Sequence, residues 1–235
     1  MCTVTFIPKK NGDFILTSNR DELPQRETLP PAIYKEDGID LLYPKDVVAG
    51  GTWIGLSSRE RLVCLLNGGF VAHTRKPYYP KSRGLIVKEL LIAKNAIDYL
   101  KETDFTDMEP FTIIMVDWQE KLQLYQLVWD GEEKHLEKKN IQHTIWNSAP
   151  LYTPEMTKMR KEWFSHFLDN ESLDSATILN FHRNAGVGDK HLDLQIDRGF
   201  LKTVSITQIE KKENIKRMYY NDLQKDTMRS VVDFR

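Results

Sequence analysis

Short apolar runs recur along this chain in pairs, each pair joined by a turn signal, and this pattern limits the possible folds more than any other feature. Thr3-Val4-Thr5-Phe6-Ile7 alternates polar and apolar residues, Asn11-Gly12 marks a hairpin, and Phe14-Ile15-Leu16 returns. Thr52 to Leu56 with Arg61 to Leu66, and Phe111 to Val116 with Leu122 to Trp129, repeat the arrangement. So do Asp130-Gly131 leading to His135-Leu136, and Thr203 to Ile209 followed by Ile215 to Tyr220. Helical periods lie between the pairs. Ile86, Leu90, Ala93, Ile97 and Leu100 recur at three and four residues and predict one helix over roughly 84 to 102. Thr153-Pro154-Glu155 supplies a cap, a first-turn proline and an acidic residue for a second helix, predicted to bury Met156, Met159, Trp163 and Phe167. A third is predicted from about Asp174 to Arg183, stopping near Gly186. Pro24 to Pro31 reads as an extended loop. Strand pairs alternating with grouped helices predict a layered α+β domain.

The chain is 235 residues long and 40% hydrophobic, enough for one large domain with two layers of core, and no linker composition divides it. A single domain over 1–235 is therefore expected. Its 33 basic and 34 acidic residues are interspersed, with no basic stripe, so nucleic acid is not an expected partner. No apolar run approaches the length of a membrane span and the start has no apolar h-region, which predicts a soluble, unexported, cytoplasmic protein. Cys2 and Cys64 make no disulfide framework, and Cys64 within Leu62-Val63-Cys64-Leu65-Leu66 reads as inert strand core. Without a Cys-x-x-Cys pair or a helical His pair, neither metal nor cofactor is expected.

Cys2 carries the chemistry. Removal of Met1 would leave a thiol and a free α-amine on one residue, a nucleophile with its own base. The thiol titrates near ~8.5 and the amine near ~7.7 to 8.0, so at neutral pH the amine is partly free to accept the thiol proton. Ser18-Asn19-Arg20-Asp21-Glu22 ends the returning strand and lies across the hairpin from the chain start. Such a polar cluster can be a solvated turn. Its functional reading is that Asp21 holds the ammonium or orients the amine, while Arg20 lowers the thiol pKa or binds a substrate anion.

Met-Cys-Thr at the start, Ser-Asn-Arg-Asp-Glu at 18 to 22, Tyr43-Pro44-Lys45-Asp46, Ala49-Gly50-Gly51-Thr52-Trp53-Ile54-Gly55, Leu66-Asn67-Gly68-Gly69-Phe70 and Ser82-Arg83-Gly84 resemble the NRDE family. That family takes its name from an Asn-Arg-Asp-Glu motif and includes transport and Golgi organisation protein 2-like chains. The blocks cover the first third densely and most of the chain loosely. The family is in turn similar to N-terminal-nucleophile hydrolases of the choloylglycine hydrolase and penicillin V acylase type, which begin Met-Cys-Thr and use the exposed cysteine on amide bonds. The resemblance implies a four-layer αββα sandwich of two antiparallel sheets between helices. It implies Cys2 as nucleophile, Asp21 as the acid contacting the new amine, and, loosely, Arg20 as the arginine beside it.

Asn67 in Leu-Asn-Gly-Gly and Asn147 in Trp146-Asn147-Ser148-Ala149-Pro150 resemble the two asparagines on the oxyanion side of such sites. An uncharged amide donor suits a tetrahedral oxyanion. The hydrolases place their arginine a few residues before the aspartate with an asparagine between, whereas Asn19-Arg20-Asp21 are consecutive here. A further arginine of the hydrolases, near residue 200, has two candidate counterparts, Arg198 and Lys202. Asn19, Trp53 and His73 are candidate substrate-binding residues. Trp53 reads either as a hairpin's core tryptophan or as a pocket wall, and His73 either as a solvated loop residue or as a pocket residue beside Asn67.

Two classes of function follow. One is hydrolysis of a non-peptide carbon–nitrogen bond in a small-molecule amide. The other is a non-catalytic NRDE-family carrier or trafficking protein binding a hydrophobic ligand such as haem, lipid or acyl-CoA, with Cys2 or His73 as possible axial ligands for haem.

Overall fold

The computed structural model describes residues 2–149, 151–225 and 229–234, with Cys2 described by its backbone alone. In chain order it contains β1 (Cys2–Pro8), β2 (Phe14–Glu22), β3 (Thr28–Glu36), β4 (Ile39–Asp46), β5 (Ile54–Ser57), β6 (Arg61–Asn67), α1 (Arg83–Ile92), α2 (Ala96–Glu102), β7 (Phe111–Asp117), β8 (Gln123–Trp129) and β9 (Lys134–Lys139). These are followed by β10 (Thr144–Asn147), α3 (Pro154–Asn170), α4 (Ser175–Asn184), β11 (Lys202–Lys212), β12 (Ile215–Asp222) and β13 (Arg229–Phe234). The architecture is α+β, two antiparallel sheets with four helices, as the strand pairing predicts. The elements gather into two compact units.

The first unit uses both ends of the chain, up to Arg26, then Gln142–Asn147 and everything from Leu151 onward. Its six-stranded sheet runs β10-β1-β2-β11-β12-β13, with α3 and α4 packed on it. The β1–β2 connection is longer than a two-residue hairpin. Lys9 N donates to Asp13 O at 2.8 Å, and Asn11 and Gly12 take left-handed φ values of 59° and 75°, which Asn and Gly tolerate best. The register runs from Cys2 opposite Arg20 to Pro8 opposite Phe14, and β2 continues as a central strand flanked by β1 and β11. Strand alternation then sends Ile7 and Ile15 into a core with Ile145, Phe164, Phe167, Ile178 and Phe181 beneath the two helices. Thr153 and Asp174 cap α3 and α4, accepting from Met156 N at 3.3 Å and Thr177 N at 2.9 Å. The buried stripe of α3 differs from expectation. Arg160, Phe164 and Phe167 are buried, whereas Met156, Met159 and Trp163 are only partly so.

The second unit comprises Glu27–Ile141 with residues just after β10. Its seven strands form a meander, β3 to β9 in sequence order, with α1 packed on β5 and β6. The single helix expected over 84 to 102 is two. Asn95 Oδ1 accepts from Ile97 N at 3.1 Å and Asp98 N at 3.2 Å, so α2 starts anew where a continuous apolar stripe suggested one rod. Arg61, buried in β6, donates to Leu90 O and Ala93 O at 2.7 Å each and to Asp117 Oδ2 at 2.9 Å, capping the carbonyl end of α1 with a cation. The loop expected through Pro31 turns into strand at Thr28. Pro30 and Pro31 fall in the register shift between Leu29 and Ala32 of β3, an edge strand where a missing N–H breaks no ladder. The Gly-Gly-Thr-Trp and Ser-Arg-Gly motifs meet as well. Thr52 N donates to Gly84 O at 3.2 Å, and a Cβ on Gly51 would lie 2.5 Å from the Gly84 carbonyl carbon.

Candidate active site

β2 carries the polar motif into the middle of the first unit's sheet, and alternation splits it. Arg20 lies in register with Cys2, whereas Asn19 pairs with Thr3 and projects to the same face as Asp21. Arg20 is nearly buried and Asn19 and Asp21 are wholly so. The Met1 processing and the Cys2 thiol expected from the sequence lie outside the described residues.

Buried amides and carboxylates need partners. Asn19 Nδ2 donates to His182 O at 3.0 Å and Leu194 O at 2.9 Å, which fixes its Oδ1 as acceptor for His182 Nδ1 at 2.7 Å. The other imidazole nitrogen, Nε2, then accepts from Thr5 Oγ1 at 2.7 Å. Burial, reinforced by the Arg160 charge, holds the His182 pKa down to about 3, so the ring is neutral as this tautomer requires. The carboxamide of Asn19 thus ties β2 to α4.

Asp21 sits at the end of β2 opposite Thr203, beside a register shift between Thr203 and Ser205 in β11. Its Oδ1 accepts from Thr203 Oγ1 at 2.6 Å and its Oδ2 from Tyr152 OH at 2.5 Å. Burial raises the Asp21 pKa, and the two hydroxyl donors and the Arg160 charge oppose that rise. Burial and the nearby Asp21 charge push the Tyr152 phenol well up, so it remains the donor.

Asn147 ends β10 in register with Thr3, at the same end of the sheet as the start of β1. Its Oδ1 accepts from Thr3 Oγ1 at 3.2 Å and Arg160 Nη1 at 3.4 Å, while Nδ2 is buried and has no hydrogen-bond partner among the described residues. Arg160, which the sequence reading missed, is 0% exposed. It also donates to Thr3 Oγ1 at 2.6 Å, Leu192 O at 3.0 Å and Asp193 O at 2.5 Å, and its guanidinium carbon lies 3.5 Å from the Tyr152 ring centroid. A basic residue in a half-apolar helix reads as solvated, and only the i, i+4, i+7 spacing of Met156, Arg160 and Trp163 hinted that it faces inward. Of the two late cations, Arg198 lies 5.7 Å from the same ring and donates to His191 O at 2.8 Å, whereas Lys202 pairs with Asp197 at 3.0 Å nearer the surface.

The remaining candidates belong to the second unit. Asn67 closes β6, and its carbonyl accepts from Ser148 Oγ at 2.6 Å. Gly68, at a φ of 85°, follows it and donates to Pro110 O at 2.9 Å. Trp53 is buried just before β5. His73 Nε2 stands 3.5 Å from Glu109 Oε1, whose other oxygen pairs with Arg83 of the Ser-Arg-Gly motif at 2.9 Å.

Among the described residues of the first unit are an apolar and a polar cavity. One of about 330 Å³ is largely apolar and is lined by Trp163, Phe167, Phe181 and Ala185 of α3, α4 and the α4 end. The other, about 480 Å³ and polar, is lined by Lys190, Gln195, Asp197, Lys202 and Thr203, the last being the residue that holds Asp21. Among the described residues no group of three or more His, Cys, Asp or Glu is arranged to hold a metal ion.

A family model described as Transport and Golgi organisation 2 matches residues 1–228. The sequence has no match among curated proteins. Among solved structures the chain is similar to a mutant of conjugated bile acid hydrolase from Clostridium perfringens, at a TM-score of 0.62 and 11% identity over 99% of this chain and 92% of that one. It is similar to the Caenorhabditis elegans ortholog of N-acylethanolamine-hydrolyzing acid amidase, at 0.60 and 13% over 88% and 92%. Penicillin V acylase from Agrobacterium tumefaciens aligns at 0.59 and 11% over 99% and 85%. At these identities the likeness is one of fold: that of the N-terminal-nucleophile hydrolases.

Proposed function

Since the chain belongs to the Transport and Golgi organisation 2 family and has the fold of N-terminal-nucleophile hydrolases, we propose that it hydrolyses the carbon–nitrogen bond of a small-molecule amide with Cys2 as nucleophile. The observation that carries this reading is the setting of Asp21. A wholly buried carboxylate stands at the end of β2, one residue past the partner of Cys2 in the β1–β2 register, and is held there by two hydroxyl donors. Burial of this kind is costly and is concentrated at functional sites.

In the reaction, loss of Met1 frees the α-amine of Cys2, and Asp21 holds that amine in place. The amine takes the thiol proton as Sγ attacks the amide carbonyl. The Nδ2 group of Asn147 donates to the oxyanion, the proton passes to the departing nitrogen, and the carbon–nitrogen bond breaks to leave a thioester. Water, deprotonated by the same amine, cleaves the thioester to a carboxylate and restores the thiol. Arg20 favours the thiolate or anchors an anionic group of the substrate, and Asn19 braces β2 through His182. The reading places this chemistry in the cytoplasm. Among the described residues no helix is long and apolar enough to cross a membrane.

The test joins mass and activity. The purified chain should lack Met1, label once and rapidly with a thiol alkylator near neutral pH, and hydrolyse members of an acyl-amide panel. Cys2→Ser should abolish both labelling and turnover. Turnover unchanged by Cys2→Ser would refute the mechanism. The apolar cavity of about 330 Å³ favours a second reading, a carrier of a hydrophobic ligand. Saturable calorimetric or spectral titration with acyl-CoA or hemin, without turnover, would establish it instead.

A further inference from the structure

Arg160 is an anomaly that the proposed chemistry leaves unexplained. A guanidinium carried at 0% exposure on the inward face of α3 needs a compensating role, because an arginine at the helix surface could keep its hydration. Every N–H of this guanidinium has an acceptor: Nε and Nη2 on the carbonyls of Leu192 and Asp193, Nη1 on Thr3 Oγ1 and Asn147 Oδ1. The carbonyls anchor one edge of the fork, and the anchored fork presents the other edge to the β1–β10 strand end.

Two consequences follow for groups the mechanism uses. Donation to Asn147 Oδ1 by Arg160 and Thr3 fixes which end of the carboxamide is which, leaving Nδ2 as the free donor. A cationic donor on the oxygen also polarises the amide and strengthens its N–H groups. The guanidinium carbon also lies 3.5 Å from the ring centroid of Tyr152, whose hydroxyl donates to Asp21. One buried cation therefore touches both supports of the site.

We propose that Arg160 is a positioning residue: it orients the Asn147 carboxamide as an oxyanion donor and seats Tyr152 on Asp21. The role rests on the amidase reading above and deepens it. Lysine at this position would keep the charge but, as a point donor, could not span the Leu192 and Asp193 carbonyls and the Thr3–Asn147 pair together.

The test is Arg160→Lys in the full chain, read in two ways. In kinetics, kcat should fall on the order of tenfold to a hundredfold, below the full loss of an oxyanion donor, with KM within about twofold. Combined with Asn147→Ala, Arg160→Lys should cost clearly less than it does in the native chain, since the part acting through the amide is already gone and only the part through Tyr152 and Asp21 remains. Full additivity would overturn the proposal, as a merely structural residue lowers activity regardless of Asn147. The second readout needs no turnover. The Asn147 side-chain NH₂ pair, assigned in ¹⁵N spectra by its loss in Asn147→Asp, should be dispersed and slow to exchange in the native chain and should shift and exchange faster in Arg160→Lys.

An unmoved pair overturns the positioning role whether or not the protein is an amidase. Activity lost from wild type, or unaffected by Cys2→Ser, instead refutes the amidase reading and leaves this readout to decide on Arg160. Should Arg160→Lys fail to fold, Thr3→Val removes the other donor on Oδ1. The pair should then stay dispersed because Arg160 still holds it, and its release would assign the orientation to Thr3.

Discussion

A carboxylate taken out of water is tolerated where donors replace its hydration, and Asp21 has the hydroxyls of Tyr152 and Thr203. Tyr152→Phe keeps the ring under Arg160 and removes the donor on Oδ2. Urea unfolding should show a loss of about 1.5–3 kcal/mol, the worth of a hydrogen bond to a charged acceptor. Thr203→Val should cost more, because it removes the donor on Asp21 Oδ1 and also the acceptor of Ile196 N at 2.9 Å. For catalysis the decisive substitution is Asn147→Ala. On the proposed mechanism, in which Asn147 donates to the oxyanion, it should lower kcat about 10² to 10³-fold with KM little changed. A raised KM with kcat intact would reassign Asn147 to substrate binding. At this scale the sequence made Asn19, Arg20 and Asp21 conspicuous without separating their parts. Alternation along β2 puts Arg20 on one face and its neighbours on the other, and the carboxamide of Asn19 is consumed by His182 and Leu194.

The elements were legible where their signals are local. Hairpin pairs, the Thr153 cap and the approximate start and stop of α4 depend on neighbours a few residues away, and these were found. The α1–α2 break was not, since apolar spacing carries on through it while Asn95 starts a new helix. Asn95→Ala should therefore lower stability by about 1 kcal/mol in thermal or urea unfolding, the usual worth of a cap. The strand in β3 was hidden by Pro30 and Pro31, which only its place at the sheet edge makes acceptable. The glycines of the Gly-Gly-Thr-Trp motif test element packing directly. Gly51→Ala would drive a Cβ into the Gly84 backbone and should cost about 2–3 kcal/mol. Gly38→Ala, at a φ of 78° with open space around it, should cost about 1 kcal/mol. Equal losses in both would remove close approach as the reason for Gly51.

For the whole molecule, two buried groups of the first unit set opposing dependences of stability on pH. His182 has a native pKa of about 3 against 6.5 for the free side chain, so between those values the unfolded chain binds a proton that the native one does not. Its contribution is complete above about pH 6.5 and is lost on acidification towards pH 3, by about 5 kcal/mol. Asp21 works the other way: its raised native pKa means that stability declines as pH rises through the window above the ordinary carboxylate value. Urea midpoints measured from pH 7 to 3 should fall steeply for the native chain and less for His182→Gln, and a slope unchanged by that substitution would show that His182 does not stay neutral. The sequence by itself determined the antiparallel α+β plan, most of its strands and helices, the nucleophile candidate at its start and the family motif, because each is written in adjacent residues or fixed short spacings. Tertiary structure alone decided that Arg160, Tyr152, His182 and Thr203 converge on Asn147, Asp21 and Asn19. Those contacts join β2 and β10 to α3, α4 and β11 across separations of up to 182 residues, and a buried ion's partners depend on what the folded chain packs around it.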